Sequence, residues 1–149
     1  MRTINVFIAQ PMHGKELDDI RKERAQILTE FMDWYHDNIG DSSSAEFVDI
    51  NSEFYLKDAG DNWPETPGRL FYLGRSIQRM ELADFVVFAN GYQNADGCCV
   101  ERTAAAKYFK YEVYNQDANS AFVELFRDGE QICGYLTPSI NNIIFGRKY

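Results

Sequence analysis

Phe85-Val86-Val87-Phe88-Ala89, closed by Asn90-Gly91, decides the fold. A strand with one wet face alternates apolar and polar residues; an unbroken apolar run of this length between turn signals reads as a strand buried on both faces. Such strands belong to parallel sheets covered by helices on either side. The flanking segments agree. After Pro67-Gly68, Leu70, Leu73, Ile77 and Met80 recur at helical spacing. Beyond the run, Ala95-Asp96-Gly97 prepares a helix start. The stretch from Glu101 to about Lys110 carries three consecutive alanines, which let a helix lie close to a sheet.

Working outward, Ile4-Asn5-Val6-Phe7-Ile8-Ala9 is a short buried strand stopped by Pro11 and Gly14. Leu17, Ile20, Ile27, Leu28, Phe31 and Tyr35 then mark a long amphipathic helix from about 15 to 36. Arg24 falls in or beside its stripe, where a packed stem with its head in water is expected. Glu46-Phe47-Val48-Asp49-Ile50 alternates like a second strand, and Tyr111-Glu112-Val113-Tyr114 is a candidate for the strand after the last helix. The segment from Lys57 to Gly68 has no clear period and reads as a lid, a binding loop or a surface loop. Alternation of strand and helix predicts a three-layer α/β sandwich, with a mostly parallel, doubly wound sheet of the flavodoxin or Rossmann kind, in one domain over 1–149. Ala121 to Leu136 reads as a C-terminal hairpin turning at Asp128-Gly129, with a helix from Ser120 to Arg127 as the alternative.

Composition narrows the function classes. The net charge of −8 repels a polyphosphate backbone, so long nucleic acid is not an expected partner. A small anion remains compatible, because helix N-terminal N–H groups bind it locally. No apolar run is long enough to span a bilayer, and no secretory pattern opens the chain, so a cytoplasmic protein without a membrane partner is expected. The three cysteines, with Cys98 and Cys99 adjacent, suit reduced thiols.

In an open parallel sheet, ligands bind where connections diverge at the carboxyl ends of the strands. Two turns fall there, Gln10-Pro11-Met12-His13-Gly14 and the stretch from Asn90 to Glu101. Gly97 would permit close backbone approach, and the N–H groups after it would face a ligand oxygen. Glu101 would project from the first or second turn of the helix, either beside that ligand or as an ordinary N-terminal glutamate favoured by the helix dipole. Asp84 is expected to bond across a helix-to-strand junction, and Asp96 to cap the helix that follows. His13 could polarise a ligand or simply be solvated. Cys98 lies near a helix N-terminus, where a thiol pKa can fall. A cysteine phosphatase loop would need an arginine six residues on, and positions 104 and 105 are alanine. Neither paired zinc-ligand spacing nor a Gly-rich dinucleotide or triphosphate loop is present, so no metal or cofactor is expected.

Four blocks together carry a resemblance: Val6 to Gly14, Tyr72-Leu73-Gly74-Arg75-Ser76-Ile77, Ala83 to Phe88, and Asp96-Gly97-Cys98-Cys99-Val100-Glu101. They resemble the nucleoside 2-deoxyribosyltransferase superfamily, in an uncharacterised bacterial and phage branch. The resemblance implies that Glu101 attacks the anomeric carbon of a nucleoside, nucleotide or related ribosyl compound and expels the base; water or a second base then resolves the glycosyl ester. It further implies a pocket floor from the turn Gln10 to Gly14, with Pro11 and Met12 in it, and Phe7 and Ala9 among the residues that bind the substrate. Ser76, Asn90, Gly91 and Asp96 would stand beside the ligand, with backbone donors at Gly97 and Cys98. Ser76 stands where active members commonly carry an aspartate, Gln10 where a small residue is frequent, and Phe7 where a tyrosine is often found. A serine is a poor general acid, so the leaving base needs another proton donor. That departure motivates the alternative of a module that binds a nucleotide-like ligand without turnover. In related transferases a C-terminal aromatic from a neighbouring subunit completes the pocket. The ending Arg147-Lys148-Tyr149 therefore raises the expectation of a homo-oligomer.

Overall fold

The computed structural model describes residues 2–53, 62–108, 110–114, 124–127 and 130–131 of the 149. Strands β1 (Arg2–Ala9), β2 (Ala45–Asp49), β3 (Phe85–Phe88) and β4 (Tyr111–Tyr114) alternate with helices α1 (Leu17–Asn38), α2 (Arg69–Met80) and α3 (Asp96–Lys107). These four strands pair in parallel in the order β2-β1-β3-β4. Beyond β4 the short strands β5 (Glu124–Arg127) and β6 (Glu130–Gln131) continue the sheet antiparallel, as the hairpin reading expected and the helical alternative did not. Its turn at 128–129 lies outside the described residues, as do 57–61 of the irregular loop and the tail at 147–149.

The period of two along each strand divides the core. Ile4, Val6 and Ile8 of β1, with Phe85 and Val87 of β3, pack against Ile27, Phe31, Trp34 and Tyr35 of α1. Phe7 and Ala9, with Val86 and Phe88, face the other way, toward Met80 of α2 and Cys98 and Ala105 of α3. Helices on both faces explain why the run 85–89 had no polar alternation. Phe31 anchors the α1 layer, with ring centroids 5.3 Å from Phe85 and 5.7 Å from Trp34. Ala105, wholly buried, lets α3 approach the sheet as expected.

The two layers set the position of the cleft. β1 leads into α1 on one face, whereas its neighbour β3 leads into α3 on the other, so their connections part at the carboxyl ends. Pairing runs to the tip, with Ala89 N donating to Ala9 O at 2.9 Å. There the chain turns away at Gly91 (φ +87°), beside Pro11. Asp84 makes the expected junction bond, accepting from Asn5 N at 2.7 Å.

Arg24 departs from expectation. Its guanidinium is not in water but 3% exposed, beneath the end of β1. Nε and Nη2 donate to the two Asp49 carboxylate oxygens at 2.9 and 2.7 Å. Nη2 also donates to Asn51 Oδ1 at 2.7 Å, and Nη1 to Gln10 Oε1 at 3.1 Å and Ile8 O at 3.4 Å. The fork is thus fully engaged, which is what makes burying the charge tolerable. Arg24→Met should lower unfolding free energy by about 3–5 kcal/mol, because it strands the Asp49 carboxylate and the Gln10 amide oxygen and takes one of two donors from Asn51 Oδ1. Arg24→Lys should recover only part of this, since an ammonium cannot reproduce the fork. Chemical denaturation of the three proteins checks both statements.

Candidate active site

A cleft of about 690 Å³ opens where the β1 and β3 connections part. Its floor is Ile8, Gln10, Pro11, Met12 and Asn51. One wall is the α2 face with Arg69, Tyr72, Leu73 and Ser76; the other is the start of α3 with Asn94 to Cys98 and Glu101. His13 stands at the rim, exposed.

Cys98, Glu101 and Ala105 form the buried stripe of α3, three and four residues apart. Glu101 thus takes a position that an apolar residue would ordinarily fill. It is 8% exposed yet lines the cleft, so it is not a solvated helix-dipole glutamate. Its Oε2 accepts a hydrogen bond from Ser76 Oγ at 2.9 Å, joining α2 to α3. Oε1 has no partner among the described residues. Burial pushes the carboxyl up to about 7, against the smaller opposing effects of the Ser76 hydroxyl and the Arg24 charge. Arg24 therefore acts on the cleft electrostatically as well as through Gln10 and Asn51.

Eight of the thirteen site residues named from the sequence meet in this cleft: Gln10, Pro11, Met12, Ser76, Asp96, Gly97, Cys98 and Glu101. Five do not line it. Phe7 and Ala9 are wholly buried in the core beneath α2 and α3 and do not reach the cleft. Gly14 (φ +78°) is exposed in the turn closed by Lys15 N and Met12 O, and Asn90 and Gly91 belong to the turn leading to α3. Gly97 lines the cleft, and a Cβ there would meet only Leu73 Cδ1 at 4.0 Å, so the protein around it leaves room for a side chain. Asp96 is not a cap. Ala95 holds that position without a side-chain bond, and the Asp96 carboxylate is exposed, 3.8 Å from Arg69. Cys98 is not an activated thiol, since burial, then the neighbouring Glu101 charge, raises it to about 12.

Asn51, Tyr72 and Leu73 were missed. Tyr72 and Leu73 belonged to a block that carried the resemblance, and Leu73 sat on an apolar helical stripe that reads as core; Tyr72 presents an aromatic wall, braced by Trp63 at 5.6 Å. Among the described residues no three His, Cys, Asp or Glu side chains converge as a metal site, and no helix is long and apolar enough to cross a membrane.

Comparison with protein-family models, with curated proteins and with solved structures found no match to this chain.

The raised carboxyl links stability to pH. Between its ordinary 4.5 and about 7 the folded chain holds a proton on Glu101 that the unfolded chain has released, so stability falls as pH rises through that window. The cost, complete above the window, is roughly 3 kcal/mol at most. Glu101→Gln should remove this pH dependence and leave the variant more stable than wild type above pH 7, as measured by urea unfolding across the range.

Proposed function

We propose that the cleft cleaves or transfers at the N-glycosidic bond of a nucleoside, nucleotide or related ribosyl compound, with Glu101 as nucleophile. One observation carries this reading: a carboxyl on the inner stripe of a helix, open to a ligand-sized cleft at the switch point, with one oxygen held by Ser76 and the other without a partner. Three of the four sequence blocks that resemble the deoxyribosyltransferases contribute residues to the cleft, and the fourth, Ala83 to Phe88, is the core strand beside it.

In this reading the Glu101 carboxylate attacks the anomeric carbon as the bond to the base nitrogen breaks, and the bonding electrons leave with the base. The Ser76 hydroxyl, already donating to Glu101, orients the nucleophile rather than supplying a proton. The leaving nitrogen takes its proton from solvent or from His13, an imidazole at the cleft rim and a side-chain type suited to that task. Tyr72 and Leu73 offer an apolar face for the base, and the N-terminal N–H groups of α3 offer donors to ligand oxygens. Resolution of the ester by water gives hydrolysis; resolution by a second base gives transfer. A desolvated site suits the step, because the charge lost from the carboxylate matches charge developing on the sugar.

The second reading, ligand binding without turnover, rests on Ser76 standing where an acid would serve the leaving base. Recovery of a tightly bound ligand intact would favour it. For the enzymatic reading, a panel of nucleosides and nucleotides should yield free base. Glu101→Gln should lose roughly three orders of magnitude or more in rate. Because the ionised carboxylate is the reactive form, kcat/KM should rise with pH to a plateau above about 7. Equal base release by Glu101→Gln would refute the assignment.

A further inference from the structure

Asn51, just past β2, is a second cleft side chain whose hydrogen-bonding capacity is only partly used. It is 1% exposed and lines the cleft. Its Oδ1 accepts from Ile8 N at 3.0 Å and from Arg24 Nη2 at 2.7 Å, while Nδ2 donates one hydrogen to Ile8 O at 3.0 Å. The side-chain amide thus extends by one step the ladder that the backbone ends with Ile50 N on Val6 O.

A primary amide carries two N–H donors. The two-point pairing with Ile8 uses the hydrogen on the Oδ1 side. The other is directed away from Oδ1, and because Ile8 O lies beyond Ile8 N along β1, it is directed toward the carboxyl end of the strand, where the cleft is. It has no acceptor among the described residues. Native interiors rarely leave such donors unpaired. Across the same cleft Glu101 Oε1 is a buried acceptor with no donor among the described residues. A carbonyl of a base could accept from Asn51 but has nothing to give; a hydroxyl does both.

We propose that Asn51 is a ligand-recognition residue, its remaining Nδ2–H donating to a sugar hydroxyl whose own hydrogen is available to the Glu101 carboxylate. The inference rests on the glycosidic reading of the cleft and extends it, since it makes the hydroxyl pattern of the sugar a determinant of substrate choice. A ligand lacking that hydroxyl would leave both buried groups unpaired.

The test uses purine and pyrimidine ribonucleosides with their 2′- and 3′-deoxy analogues, and purine riboside as the carbonyl-free counterpart of inosine. Base release is followed for wild type, Asn51→Asp and Asn51→Ala, and binding is measured on Glu101→Gln. Wild type should prefer a ribonucleoside over one deoxy analogue by about 10²-fold or more in kcat/KM, and the Asn51 variants should reduce that preference to a few-fold. Purine riboside should behave as inosine does. Because Asn51 also pairs Ile8, a measurement without substitution at this site accompanies them. In the 1H–15N spectrum of Glu101→Gln, one Asn51 side-chain amide proton should move downfield with the preferred ribonucleoside and not with its deoxy analogue. A hydroxyl preference that survives in folded Asn51 variants, or an amide pair unmoved at saturation, overturns the inference, while Glu101-dependent base release leaves the glycosidic reading standing. Discrimination that follows the base carbonyl overturns the sugar assignment. Failure of every ligand to bind or react overturns both.

Discussion

The guanidinium of Arg24, out of water beneath the end of β1, is the constraint around which the functional end of this molecule is arranged. An unpaired charge there would not persist, so the chain brings Asp49 from the end of β2, Asn51 from just beyond it and Gln10 from the turn after β1 to meet it. Those contacts tie three consecutive elements at one point. They also leave Asn51, rather than backbone, paired with Ile8, so the segment after β2 is free to turn away while β1 keeps a partner. The crevice begins where that substitution is made.

Electrostatics in the cleft is a contest between desolvation and a few fixed partners. For Glu101 desolvation prevails, and the Ser76 hydroxyl and Arg24 only moderate it. For Cys98, one turn earlier, desolvation and the Glu101 charge act in the same direction, which removes the thiol from chemistry near neutrality. One helix stripe thus separates an acid poised near pH 7 from an inert sulfur, with no metal or cofactor invoked.

Much of the architecture was legible because burial on both faces erases alternation, and the run from Phe85 to Ala89 shows that in one glance. Glu101 was legible by its place after a strand and glycine-containing turn, though spacing alone also allowed a solvated residue. What separates the two is its register with Cys98 and Ala105, three and four residues away on the buried stripe of α3. Arg24 and Asn51 were harder. Their roles depend on α1 and the end of β2 meeting over Ile8, residues 16 and 43 positions from it in the chain. No local period encodes such a meeting. Phe7 and Ala9 were named because a motif was taken as a block, whereas both side chains are used up in the packing beneath α2 and α3.

The cleft draws its parts from separate elements: a floor from the β1 and β2 ends, a buried carboxyl from α3, and a wall of Arg69, Tyr72, Leu73 and Ser76 from one face of α2. Three of those four wall positions carry no bond to the carboxyl, so they are open to replacement without disturbing it. A chain of this design could therefore change what its cleft admits by altering a single helical surface, with the carboxyl and the floor beneath it left as they are.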